Sequence, residues 1–275
     1  MKFTTALSSI AAVTTTALVF ALAPAPVSAG ARRGAPWGAD TRWASRLLKG
    51  KMDWYHHWQD GPFSVPNGVE YVPTFWGTSK FSQWNQRKAE MNRNMPSRLL
   101  AFNEPDIKSQ ANMSPAYAAD VYAQEICPWQ RRGVKISTPQ IVWDYDGWMD
   151  PFLRALRAKG SAGCEPDFLA IHWYGGKNDM DKFKAFVQKG WNKYQKPIWL
   201  TEVGLTSSSN PSSAEAESFL RRALAWVDSQ DCVKRITWTG VFAINNPPDT
   251  FLSNRIAMFQ SNGELRNTAF IMMYE

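Results

Sequence analysis

Residues 167–230 read DFLAIHWYGGKNDMDKFKAFVQKGWNKYQKPIWLTEVGLTSSSNPSSAEAESFLRRALAWVDSQ. Two short apolar runs, Asp167–Trp173 and Ile198–Glu202, are each followed by apolar residues at three- and four-residue spacing, over 179–194 and 212–230. The runs predict buried strands and the spaced stretches predict amphipathic helices. Ser212 and Ser213 ahead of Glu215 and Glu217 supply a helix start. A strand–helix–strand–helix order predicts parallel pairing, because the helix carries the chain back to the same end of the sheet.

The same rhythm extends outward. Six further runs read as strands: Arg33–Trp37, Met52–Trp58, Val69–Trp76, Leu99–Asn103, Val134–Thr138 and Ile236–Ala243. Helical patterns fill 79–95, 114–130 (with Ser114 as cap and Pro115 in the first turn) and 148–160, and 266–275 reads as a last helix. Eight such units predict an α/β chain forming a single (β/α)8 barrel, a TIM barrel. A doubly wound sheet is the alternative, but it would want a Gly-rich phosphate turn, and none occurs. Gln59 to Gly68 holds Gly61, Pro62, Pro66, Asn67 and Gly68, so the second helix is expected to be short or missing. Asn245-Asn246-Pro247-Pro248 reads as an irregular loop and Asn262-Gly263 as a tight hairpin turn.

Composition narrows the class. The chain has 275 residues, 44% hydrophobic and 20% charged, which excludes a disordered chain. Its 17 Gly and 17 Pro are dispersed, which excludes collagen-like and low-complexity chains. Net charge is +7, but the densest basic pairs are Arg32-Arg33, Arg131-Arg132 and Arg221-Arg222, too small for a nucleic-acid stripe.

Residues 1–29 read as a secretory signal. Lys2 precedes an apolar stretch from Ala6 to Ala23, Pro24 and Pro26 break it, and Val27-Ser28-Ala29 offers a cleavage site after Ala29. A membrane anchor is the alternative, which the proline break disfavours. The expectation is a secreted, extracellular or cell-wall protein, monomeric, with residues 30–275 as one domain and no membrane partner after cleavage. Of three cysteines, Cys127 and Cys164 fall in helix-to-strand connections flanking strand five, at the bottom of the barrel. They are the first candidates for a disulfide, with Cys232 free; the pairing itself stays open.

In such a barrel the chemistry lies at the C-terminal ends of the strands. Strand four ends in Phe102-Asn103-Glu104-Pro105-Asp106, and strand seven carries Glu202 within Ile198–Gly204. A carboxylate in apolar surroundings is costly without a partner. Two of them on strands four and seven would face each other across the mouth, as glycosidic bond cleavage requires. The strand ends are also rich in aromatics, and the chain holds 14 tryptophans. Flat rings stack on sugar C–H faces. Alternation along strand six sends His172 and Tyr174 to one side and Trp173 to the other. Zinc is a weak alternative, because adjacent His56 and His57 face opposite ways; no metal and no cofactor is expected. No Gly-x-Ser-x-Gly elbow is present for a catalytic serine.

The set RRG at Arg32–Gly34, DWYHHW at Asp53–Trp58, YVPTFWG at Tyr71–Gly77, FNEPD at Phe102–Asp106, STP at Ser137–Pro139, DFLAIHWYG at Asp167–Gly175 and WLTEVG at Trp199–Gly204 resembles glycoside hydrolase family 128. The resemblance covers about Arg32 to Tyr274 and implies a secreted, retaining β-1,3-glucanase, endo-acting on β-1,3-glucan. It implies Glu104 as acid/base and Glu202 as nucleophile, about 5–5.5 Å apart. Asn103 would hold the sugar 2-hydroxyl, and His172 and Tyr174 would support Glu202. Trp238 would form an aromatic floor, and Trp54, Trp76 and Trp143 would serve flanking subsites. One departure is strand two, where His56 and His57 stand in place of Tyr and Asn. The alternatives are a glucan-binding barrel that does not cut, which would be expected to lose the acid, and a related glycosidase acting on β-1,4 or β-1,6 linkages.

Overall fold

The computed structural model describes Met1, residues 30–58 and residues 61–275. The signal segment lies, apart from Met1, outside the described residues. Eight strands are present among them: β1 Arg32–Trp37, β2 Met52–His57, β3 Glu70–Tyr71, β4 Arg98–Leu99, β5 Lys135–Ile136, β6 Leu169–Gly175, β7 Ile198–Leu205 and β8 Val233–Thr237. All pair in parallel, in a six-stranded sheet ordered β3-β2-β1-β8-β7-β6 and a two-stranded sheet of β4 and β5. Parallel bridges join the two sheets at both seams, Thr74 to Leu100 and Ser137 to Phe168. Backbone bonds Phe75 N–H to Leu100 O (3.0 Å) and Thr138 N–H to Phe168 O (2.9 Å) secure them. The ring therefore closes into the (β/α)8 barrel that the alternating pattern predicts.

Helices α1 Ala44–Leu47, α2 Phe81–Arg93, α3 Pro115–Glu125, α4 Cys127–Gln130, α5 Asp150–Arg157, α6 Met180–Tyr194, α7 Ser213–Asp228 and α8 Asn267–Tyr274 connect the strands. Local chemistry sets several of their starts. Ser212 caps α7 in a reciprocal capping box with Glu215, and Ser114 caps α3 ahead of Pro115. The expected helix over 114–130 divides at Ile126 into α3 and α4, with Pro128 in the first turn of α4, where its missing N–H costs nothing. The described part of the β2–β3 connection contains no helix. The expected strand over Ile236–Ala243 lies earlier, at Val233–Thr237. Beyond it the chain turns at Gly240, where a Cβ would fall 2.1 Å from the Ile256 carbonyl oxygen. Cys127 and Cys164 form a disulfide tying α4 to the loop before β6, and Cys232 is free.

Alternation along the strands divides the core. Outward residues such as Tyr55, Phe75 and Phe102 pack against helix residues such as Phe219 of α7 in one large buried cluster. Each buried side chain of this size contributes about 1.5–3 kcal/mol. Inward residues Trp54, Val72, Leu100, Phe168, Ala170 and Trp199 form a second cluster at the N-terminal end, the barrel floor. Arg235 joins them, its guanidinium 4.0 Å from the Trp199 ring centre and 5.1 Å from that of Trp54. Glu70 pairs with Arg235 (2.7 Å), Arg32 (2.9 Å) and Arg98 (3.0 Å). Burial pushes Arg235 down to about 10. Burial works to raise Glu70, but its arginines outweigh that and hold it at about 2.

Candidate active site

The site occupies the other end of the barrel. On β7 the pairing with β6 runs Ile171–Leu200 and then His172–Glu202, so Thr201 is an extra residue, a bulge. A bulge re-aims the next side chain, and here it turns Glu202 inward beside His172. The Thr201 carbonyl oxygen accepts the Thr237 hydroxyl and lies 2.9 Å from His56 Nε2, which can meet it only as a donor. Glu202 is 4% exposed. Its Oε1 accepts the Trp58 indole N–H at 2.6 Å, and its Oε2 accepts the Tyr174 hydroxyl.

Glu104 follows β4 in a loop. Its φ is +45°, a left-handed conformation unusual for a residue with a side chain. The backbone around it is fixed: Asn103 N–H donates to Trp76 O and Glu104 N–H to Gln140 O, both at 2.8 Å. Asp106 takes the N–H groups of Val142 and Trp143 at 3.1 Å, tying the loop after β4 to the loop after β5. Burial raises the Asp106 carboxyl. Strain held in place by surrounding bonds is a mark of functional sites.

His172, fully buried, lies between the two glutamates. Its Nδ1 is 2.8 Å from Glu104 Oε1 and its Nε2 is 3.5 Å from Glu202 Oε1. Ligand-type atoms of all three lie within 4.8 Å of one another. Burial disfavours charge on His172, but Glu202, Glu104 and Asp106 together raise it above the ordinary imidazole value. Burial also pushes Glu202 above the ordinary carboxyl range. His172 opposes this, the Glu104 charge adds to it, and the Tyr174 and Trp58 bonds oppose it. A proton is therefore favoured on His172 by the carboxylates around it and on Glu202 by its burial. The three groups are engaged with one another and with Trp58 and Tyr174, a hydrogen-bonded array built around His172.

A cleft of about 530 Å³ opens over this array. Glu104, Glu202, Asn103, Tyr174, Trp76 and Trp143 line it, and all six were singled out from the sequence. Asn103 Oδ1 is buried with no hydrogen-bond partner. The Lys80 ammonium lies 4.3 Å from the centre of the Trp76 ring. Trp143 is half exposed.

Two expected subsite residues lie elsewhere. Trp54 is buried in the floor, packed against Trp199 and Arg235, because it sits two inward positions below the mouth. Trp238 is buried outside the barrel wall against Phe219, and its indole donates to the Ile256 carbonyl. Its chain neighbours Thr237, the last residue of β8, and Thr239 face inward instead, and Thr239 lines the cleft. The cleft wall holds two aromatics given no role from the sequence, Trp58 and Phe251. Phe251 packs edge-on to Tyr174 at 5.3 Å. Trp58 was legible as the next inward position after Trp54 and His56; Phe251 lies in an irregular loop and carried no signal. His56 is buried and held at about 3 by that burial, so it is neutral.

Residues 34–272 match the glycosyl hydrolase catalytic core family. The chain belongs to this family. As a member of the glycosyl hydrolase catalytic core family it is similar to several solved structures. One is a curdlan-specific exo-β-1,3-glucanase of glycoside hydrolase family 128, subgroup III, from Blastomyces gilchristii in complex with glucose. It is 28% identical, with 90% of this chain and 99% of that one covered and a TM-score of 0.72. Another is a subgroup I endo-β-1,3-glucanase from Amycolatopsis mediterranei in complex with laminaritriose, 28% identical, covering 89% and 99%, TM-score 0.71. A subgroup VII oligosaccharide-binding protein from Trichoderma gamsii, 20% identical over 92% and 96% with a TM-score of 0.68, shares the fold. The likeness to family 128 seen in the motifs thus holds across nearly the whole barrel. No curated protein matches the chain. No helix among the described residues is long and apolar enough to cross a membrane.

Proposed function

We propose that this glycosyl hydrolase is a secreted, retaining β-1,3-glucanase that cuts within the chain. The observation that carries the mechanism is the closeness of the two glutamates, whose carboxylate oxygens and the His172 nitrogen lie within 4.8 Å of one another. Inverting enzymes separate their carboxyl groups by about 6.5–9.5 Å to admit a water, whereas direct attack needs about 5–5.5 Å. Glu202 receives donors on both oxygens, which suits an anion, and is the nucleophile. Glu104, at the cleft with His172 Nδ1 at 2.8 Å from its Oε1, is the acid/base.

Glu104 gives its proton to the departing glycosidic oxygen while a Glu202 oxygen bonds the anomeric carbon and the glycosidic bond breaks. Glu104, now ionised, then takes a proton from water, whose oxygen displaces Glu202 and restores the starting state. Asn103 Oδ1, lacking a partner, accepts the sugar 2-hydroxyl. The family 128 glucanases support β-1,3-glucan as substrate. Aromatic rings on separate walls of the cleft, Trp76, Trp143 and Phe251, support binding several sugars and hence internal cleavage. The Lys2 to Ala29 segment supports secretion.

The test is incubation with a soluble β-1,3-glucan and, in parallel, a β-1,4-glucan, reading reducing ends and product length. Activity on the first alone, giving oligosaccharides whose new ends keep the β configuration, and lost in Glu202→Gln, is the expected result. Binding without cleavage would replace it with the non-cutting barrel.

A further inference from the structure

Trp58 directly follows β2, continues its inward row after Trp54 and His56, and is the first of that row to reach the cleft. Its indole ring has room because the facing position on the first strand's extension is glycine. A Cβ at Gly38 would lie 3.1 Å from the Trp58 ring and 3.4 Å from the Val241 carbonyl oxygen. The ring also meets His56 edge-on at 6.0 Å. So placed, its Nε1 donates to Glu202 Oε1 at 2.6 Å.

Four groups face the Glu202 carboxylate: the Glu104 carboxylate, whose charge favours a proton on Glu202, and three that differ chemically from it and from one another. The Tyr174 hydroxyl can donate or accept. His172 can gain or lose its charge. The indole N–H only donates and does not titrate. A proton on Oε1 pointing along the Trp58 bond is therefore excluded in every state of the site. The bond favours the anion whichever protonation state His172 holds, and a donor to a charged acceptor is among the stronger hydrogen bonds.

We propose that Trp58 is a positioning residue for Glu202: its N–H fixes Oε1 and keeps the carboxylate ionised and aimed into the cleft as a glucan enters. This rests on the reading of Glu202 as the nucleophile.

Trp58→Phe removes the N–H and keeps an aromatic surface. On a soluble β-1,3-glucan kcat should fall roughly ten- to a hundredfold, as for a lost bond to a charged group. The acidic limb of kcat/KM should move to higher pH, by about one unit, because the carboxylate has lost a donor. Affinity of Glu202→Gln for a laminari-oligosaccharide should be nearly the same with and without Trp58→Phe. An unmoved acidic limb with unchanged kcat overturns the proposal. So does a loss confined to KM, which would make Trp58 a sugar platform alone. Should the variant fail to fold, the Trp58 indole N–H resonance of the intact protein decides: it should titrate with the midpoint of the acidic limb and stop doing so in Glu202→Gln. A resonance indifferent to pH overturns the proposal. Wild-type protein inactive on every β-glucan would instead remove the proposed function itself.

Discussion

Glu202 stands directly across from His172 on the neighbouring strand because the register slips at Thr201. The slip puts an imidazole that also touches Glu104 within 3.5 Å of Glu202. Charge on His172 lowers the Glu202 carboxyl against the burial that raises it. His172→Gln removes that charge, so Glu202 should ionise at higher pH. The acidic limb of kcat/KM should shift upward and kcat/KM at neutral pH should fall by roughly a hundredfold. A pH–rate profile with an unmoved limb would show that the imidazole charge does not reach Glu202.

Glu104 holds a left-handed backbone at φ +45°. Asn adopts that conformation with less strain and keeps a polar end near His172. Glu104→Asn should abolish glucan cleavage and raise the melting temperature by about 2–4 °C, as relief of about 1 kcal/mol does in a chain of this size. Thermal unfolding measured beside activity checks both, and a lower melting temperature would deny the stored strain.

Glu70 sits among three arginines and is held at about 2, below its ordinary value of 4.5. A depressed carboxyl contributes stability above its unfolded value, and that stability is lost as pH falls through the folded value. The window is therefore from roughly pH 4.5 down to pH 2. Glu70→Gln should destabilise the protein at neutral pH, by about 2 kcal/mol. That is less than the about 3–5 kcal/mol of a fully buried pair, because Glu70 is 21% exposed. The two proteins should converge in urea unfolding as pH approaches the lower end of that window.

Trp143 lines the cleft half exposed, whereas Trp238 lies behind the wall. Trp143→Ala should raise KM for a glucan oligosaccharide roughly two- to tenfold and leave the melting temperature nearly unchanged. Trp238→Ala should do the reverse, costing about 3–5 kcal/mol of stability. Binding and unfolding measured on both variants check the division.

The strands and helices were legible because their hydrophobic periods are those of the elements themselves. The two glutamates were legible because a carboxylate closing an apolar run is costly to desolvate and stays there only when partners or chemistry hold it. Depth along a strand was not. Trp54 and His56 of β2 and Trp58 just after it share one face, and nothing in their spacing says that Trp54 lies in the floor and Trp58 at the mouth. Orientation near irregular backbone was also hidden. Simple alternation around Thr201 or Thr239 does not reveal the bulge at the first or the outward aim of Trp238 before the second. Phe251 reached the cleft through tertiary packing on Tyr174, which no local pattern announces.

The ammonium of Lys80 already occupies one side of the Trp76 indole. A pyranose can meet that ring only by its opposite face or its edge, so Trp76 is a one-sided rail. A polysaccharide bound as proposed would therefore cross that ring on one side alone, with the Lys80 cation on the other.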